Sequence, residues 1–326
     1  MTPLTDRCRL PLALMLLSAL LLSSCSEPAD NPSPPAEEEA VRSPEQIHDS
    51  VLVLDAHADI ELPDKPSRYA GPDGLSRVAP DKMAAGGMDA VVMSVAVGPG
   101  PRTEDGYAAA RELAQAKLAA VAALAADPAN NTIIARTPAD LVAAHEAGQS
   151  ALILGFQNAL ILGTDPAGID DLFAQGVRVF ALTHMGHNDF ADSSRPLYVA
   201  ALGEREPVAE HAGLSPLGVA AIERVNALGG IVDISQLSAQ AALQTIERSS
   251  APVIASHSNV RALTDVSRNL SDEEIDRIGE TGGVIHVAPF RGYLFDSSDP
   301  QLDVSLREIR RDAGIDEDYL YPFELY

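Results

Sequence analysis

Cysteine is nearly absent: Cys8 and Cys25 are the only two among 326 residues. Both lie within the first 25 positions, so the remainder has no thiol for a disulfide or for a metal. Any ion held there must rest on imidazole and carboxylate donors. Tryptophan is missing, and the aromatic complement is seven Tyr and seven Phe. Positive charge is also scarce, with 23 Lys and Arg against 47 Asp and Glu and a formal net charge of -24. That balance argues against nucleic acid or an anionic bilayer surface as a partner. No G-x-G-x-x-G or P-loop follows any apolar run, so a nucleotide-binding Rossmann fold has no support.

The one long apolar run near the start, Leu10–Leu22, follows Arg7 and Arg9 and ends in Leu22-Ser23-Ser24-Cys25. It falls short of the roughly 20 apolar residues a membrane span needs, and its order reads as a secretory signal. A cysteine directly after Leu-Ser-Ser resembles the bacterial lipobox. That implies removal of residues 1–24 and a lipid anchor on Cys25, with an ordinary signal peptide or an uncleaved anchor as the alternative. Ser26 in place of Asp points, by the same resemblance, to the periplasmic face of the outer membrane. Residues 25–45 are rich in Pro, Glu, Ala and Ser, with Glu37-Glu38-Glu39 among them. They read as a disordered tether, leaving residues 46–326 as the folded domain.

The strongest local signal is Val51-Leu52-Val53-Leu54 followed by Asp55-Ala56-His57-Ala58-Asp59. The apolar run reads as a buried parallel strand. Side chains two apart in a strand point the same way, so Asp55, His57 and Asp59 share a face at its carboxyl end. One imidazole and two carboxylates suit a zinc-type site; a solvated strand end with a capping Asp is the competing interpretation. Six further strand candidates follow, at 89–97, 151–156, 177–182, 230–234, 252–256 and 283–287. Helical patterns fill the intervals at 107–126, 138–147, 166–175, 215–228, 239–249 and 271–281. Gly148, Gly176, Gly229 and Gly282 sit just past helix ends, where a left-handed residue is wanted. This alternation predicts an α/β protein with a parallel sheet, and its density points to a (β/α)8 TIM-type barrel.

In such a barrel, chemistry sits at the carboxyl ends of the strands. His57 and Asp59 fall there, as do Gln157 and Asn158, Thr183 and His184, Gln236, and His257. Several polar strand ends in succession, three bearing His, predict a metallo-hydrolase. His187 and His211 carry no motif, and His48 and His145 read as surface. His286 either replaces a ligand at the barrel mouth or packs in the wall.

The chain resembles the membrane (renal-type) dipeptidases, the M19 zinc peptidase family, over about Gln46 to Phe290. The matching stretches are Leu54–Asp59, Gly176–His184 with Asn188-Asp189, Pro252–Ser258, Arg261-Ala262-Leu263 and Arg268–Glu273. The resemblance implies a (β/α)8 barrel with a two-zinc centre, in which His57 and Asp59 match ligands of the first ion and His257 one of the second. Gln157 stands where the family has a bridging glutamate, and Gln236 where it has a zinc-binding histidine. A neutral amide oxygen is the weaker ligand, so the expectation is one or two zinc ions, with His57, Asp59 and His257 gathered around one ion and Gln157 and Gln236 as weak donors. The resemblance also implies that His184 polarises the scissile carbonyl and that Arg268 clamps the substrate carboxylate. A surface Arg at a helix start is the alternative for Arg268. The family's eighth-strand catalytic aspartate has no counterpart before Tyr326, and Tyr319, Tyr321, Phe323 and Tyr326 crowd the end. The expectation is therefore a barrel lacking its last strand and helix, or one closed by a homodimer. The function expected is zinc-dependent hydrolysis of dipeptides by metal-activated water. Two alternatives stand beside it: a catalytically weakened or inactive peptide-binding lipoprotein, and an amidohydrolase acting on a lactam or ester.

Overall fold

In the computed structural model, residues 42–65, 70–199, 204–296 and 298–312 are described. Cys8, Cys25, most of the tether and the aromatic residues from Tyr319 onward lie outside them. The folded unit begins at Ser43. There Ser43 and Gln46 form a reciprocal capping box for α1 (Pro44–His48), so ordered structure starts slightly inside the stretch read as tether. Among the described residues no helix is long and apolar enough to cross a membrane.

Strand β1 (Leu54–Asp59) is the motif itself and not the apolar run before it. Val51 and Leu52 are exposed. The segment around Val53 is pinned from the side, because Val53 N–H donates to Asp89 Oδ2 at 2.7 Å. After α2 (Pro80–Ala85) comes β2 (Ala90–Ala96), buried at every residue as a parallel strand covered on both faces should be. Helix α3 (Glu104–Ala126) follows, capped by Thr103. A short strand β3 (Thr132–Ile134) then precedes α4 (Pro138–Glu146), whose Thr137–Asp140 capping box and leading proline fix its start.

The units continue through β4 (Ser150–Gln157), α5 (Gly168–Gln175) and β5 (Val177–Ala181). Gly176, at φ +110°, supplies the left-handed turn between α5 and β5. A long excursion carrying the hairpin β6 (Tyr198–Val199) and β7 (Glu204–Arg205) leads to α6 (Pro216–Leu228). The chain then runs through β8 (Ile231–Asp233), α7 (Ala239–Arg248), β9 (Ile254–Ser258), α8 (Asp272–Glu280), β10 (Val284–Val287) and α9 (Pro300–Asp312).

The sheet order is β1-β2-β4-β5-β8-β9-β10, all parallel, with β3 added beside β4. It is a nearly closed (β/α)8-type barrel. β1 and β10 stand at the two ends of the order, and no described strand pairs with both. Phe156, Phe180, Leu152, Ile169, Ile222 and Val232 belong to a single buried cluster spanning strands and helices. Register then sets the site: Gln157 pairs with Ala96 and Ala181, and Ala181 with Asp233, so these residues share one level at the carboxyl rim.

Candidate metal centre

A cavity of about 1450 Å³ occupies the barrel mouth and continues along the flank between β1 and β10. His57, Asp59, Gln157, His184, Arg195, Gln236, His257 and His286 all line it. Elements far apart in sequence thus converge, as a parallel barrel requires.

On β1 a β-bulge between Asp55 and Ala58 interrupts the alternation. Asp55 turns its Oδ1 back to accept from the His57 backbone N–H at 2.9 Å, so it braces the strand. His57 Nε2 and Asp59 Oδ1 stand 3.5 Å apart. That is too long for a strong hydrogen bond, yet close to the separation of about 3.4 Å between two ligands of a tetrahedral zinc. Asp59 Oδ1 is buried without a hydrogen-bond partner, and so is Gln157 Oε1. Burying an unmet oxygen costs about 1–3 kcal/mol, and two such atoms in one cavity beside an imidazole match the donor set of one divalent cation. Burial pushes the Asp59 carboxyl up, but His57, Lys117 and His184 outweigh it and hold it below its ordinary value.

His257, on β9, stacks on His57 with ring centroids 3.9 Å apart and planes at 21°. Its Nδ1 lies 2.8 Å from Ser256 Oγ, and its Nε2 lies 3.1 Å from Gln236 Nε2 and 3.5 Å from Gln157 Nε2. Gln236 Oε1 accepts from Arg195 Nη2 at 2.6 Å, so the Gln236 amide can only present N–H to the imidazole. His257 Nε2 therefore accepts, and the ring proton sits on Nδ1, donated to Ser256. Ser256 Oγ in turn donates to Asp233 Oδ2, while Asp233 Oδ1 accepts from the backbone N–H groups of Ser235 and Ser256. Burial, together with the nearby His57, Arg268 and Arg195, holds the His257 imidazole neutral, well below its usual pKa.

Ligand atoms of His57, Asp233 and His257 lie within 4.8 Å of one another. Asp233 is nonetheless committed to Ser235 and Ser256, and it serves by orienting His257. Gln236 adopts φ +71°, a left-handed backbone rare for a residue with a side chain. Its carbonyl accepts from Ser194 N–H at 2.9 Å, which ties the rim of β8 to the loop bearing Arg195.

His184 lies three residues past β5. Its Nδ1 is buried without a partner, and Ser193 Oγ donates to its carbonyl at 2.6 Å. Burial first, then the Arg195 charge, push its imidazole down to about 3, leaving it neutral. Arg268 is buried and does not line the cavity. Its Nη2 donates to the His257 carbonyl at 2.7 Å, and its guanidinium lies 4.8 Å from the Tyr293 ring centre. His187 and His211 pin the β5 loop, through Pro207 O and Asn188 O respectively. His145, read as surface, pairs through Nδ1 with Asp89 at 2.7 Å. His286 lines the cavity outside the ligand cluster.

Sequence reasoning passed over Asp233 and Arg195. A lone acidic residue inside Ile231-Val232-Asp233-Ile234 was the available signal for Asp233. Arg195 sits in an irregular Ser-Ser-Arg-Pro segment, where no periodicity marks direction.

The family model for membrane dipeptidase (peptidase family M19) matches residues 41–316. Among solved structures, the probable dipeptidase PvdM from Pseudomonas aeruginosa is 34% identical with a TM-score of 0.71, over 83% of this chain and 68% of that one. A metallo peptidase from Rhodobacter sphaeroides, liganded with a phosphinate mimic of the dipeptide L-Ala-D-Ala, shares the fold at 18% identity and a TM-score of 0.62. That match covers 84% of this chain and 88% of the other. The dipeptidase aclJ of Aspergillus oryzae is 33% identical over 151 residues, 46% of this chain. The chain matches only about a third of that relative's length, 33%.

Proposed function

The chain belongs to the membrane dipeptidase family, peptidase M19, and from that membership we propose that it hydrolyses dipeptides with the help of a divalent cation, zinc being the ion of choice. The observation that carries this is the pairing of His57 Nε2 and Asp59 Oδ1 at ligand spacing, with the unmet oxygens of Asp59 and Gln157 in the same cavity. His57, Asp59 and the Gln157 carbonyl would hold the ion. Bound there, zinc supplies Lewis acidity and brings the ionisation of water close to neutral pH. The protein's own part is orientation. His184, neutral and unpartnered at Nδ1, can donate a hydrogen bond to the scissile carbonyl oxygen and steady the charge that develops on it. Arg195 at the rim adds positive potential on the same side of the cavity, where low dielectric strengthens it.

The test strips the purified chain with a chelator, reloads it with Zn²⁺ or Mn²⁺, and follows dipeptide hydrolysis. Turnover that returns with metal and is absent in His57→Ala supports the reading; no turnover with either ion defeats it. We propose further that the protein is anchored at the periplasmic face of the outer membrane through a lipid on Cys25. Mass spectrometry of the membrane-fraction protein checks this, with Cys25→Ala expected to release it into the soluble fraction.

A further inference from the structure

We propose that the barrel mouth takes one divalent cation and that the Gln236–Arg195 pair fills the place of a second. The inference rests on the metal-dependent reading above and sharpens it. Two halves of the same cavity differ in what they leave unmet. On the β1 side, Asp59 Oδ1 and Gln157 Oε1 are buried oxygens with no proton donor, beside His57 Nε2 at 3.5 Å from Asp59. Those atoms call for a positive partner.

On the β8–β9 side the cavity-facing atoms of Gln236 and His257 already have partners. The lone pair of His257 Nε2 faces the Gln236 amide nitrogen at 3.1 Å. Gln236 cannot turn its oxygen inward, because that oxygen is bound to Arg195 Nη2 at 2.6 Å. His257 cannot present its other nitrogen, because Nδ1 is spent on Ser256, which is itself spent on Asp233. An ion entering here would have to displace an amide N–H from the imidazole and sit beside a guanidinium. Like charges at such range in a low-dielectric site repel strongly. Arg195 thereby sets a guanidinium against Gln236 on that side of the mouth, where the family pattern would have an ion. The left-handed backbone of Gln236, φ +71°, and the Ser194 N–H bond to its carbonyl hold the pair in register.

Stoichiometry reads this directly. The full chain, stripped and reloaded with excess Zn²⁺ or Mn²⁺ and then desalted, is measured by elemental analysis and native mass spectrometry. One ion per chain is the expected result, with an uncoupled six-line Mn²⁺ resonance. Gln236→His alone should remain at one, because Arg195 stays; Gln236→His with Arg195→Ser should rise toward two, with exchange-coupled Mn²⁺. Circular dichroism verifies that the variants fold, and the unaltered chain decides the matter even if they do not. Two ions in the unaltered chain overturn the inference and leave the proposed function standing. No retained ion at all overturns that function and the inference with it. A folded double variant that stays at one ion also overturns the inference.

Discussion

Arg195 and Asp233 stand at opposite ends of one hydrogen-bond chain, Arg195–Gln236–His257–Ser256–Asp233, and between them fix the direction of every bond in it. A guanidinium can only donate, and Asp233 accepts from Ser256. Each intervening group has one orientation left. This polarity places the lone pair of His257 on Nε2, and it makes the chain sensitive to loss of any single link.

Ser256→Ala cuts that chain at its middle. The Nδ1–H of His257 and Oδ2 of Asp233 would both lose the partner they have. Thermal or urea unfolding should show a loss of about 2–3 kcal/mol. Metal stoichiometry should stay at one ion per chain, because the β1 donors are untouched.

Asp59→Asn keeps the side chain's shape and removes its charge. Loss of outer partners alone costs metal sites about 10- to 100-fold in affinity, and loss of the only carboxylate ligand should cost at least the upper end of that range. Calorimetric titration with Zn²⁺ measures it. The metal-free protein should also lose some stability at neutral pH, because, against the cost of burial, His57, Lys117 and His184 favour the ionised carboxylate in the folded state.

Asp89→Asn tests the opposite end of the barrel, where Asp89 accepts from Val53 N–H and pairs with His145 of α4. Burial acts to raise this carboxyl, but Val53 and His145 outweigh it and hold it below 3.8. A depressed carboxyl stabilises the fold above the unfolded-state value, and that contribution disappears as pH falls through the folded-state value. The variant should be less stable by about 1–2 kcal/mol at pH 7. In urea melts the gap should narrow steadily as the buffer is taken below the ordinary carboxylate range.

Gly218→Ala addresses a close approach. A Cβ at Gly218, in the first turn of α6, would collide with the carbonyl oxygen of Phe190. Backbone atoms cannot step aside as a flexible side chain can, so the helix must shift. A loss of about 3 kcal/mol is expected, measured by chemical denaturation, with dipeptide turnover at low temperature largely kept.

The fold was readable because its signals are local and repeated. Fully buried runs such as Ala90–Ala96, capping residues such as Thr137 and Ser271, and Gly176 and Gly229 past helix ends each act within a few positions. Boundaries failed where a long-range bond decided them. Val51–Leu54 has the composition of a strand, yet Asp89 pins Val53, and pairing with β2 begins only at Leu54. The short β3 and the β6–β7 hairpin lack apolar runs long enough to announce themselves. His57, Asp59, Gln157, His184, Gln236 and His257 could be placed together because strand ends in a parallel barrel share a rim. Which atom each one turns inward could not be read. That depends on Arg195, which sits in an irregular loop and acts on Gln236 from 41 positions away.

Strand β1 carries both His57 and Asp59, and β2 is its one hydrogen-bonded neighbour among the described strands. The strand that would hold the ion is thus also one of the two end staves of the sheet, braced by hydrogen bonds on one side only. A captured cation would work as a rivet, fastening that stave through Gln157 to the middle of the sheet. Amide hydrogens of β1 should then exchange slowly in the loaded protein and quickly in the stripped one, long before the rest of the barrel notices the difference.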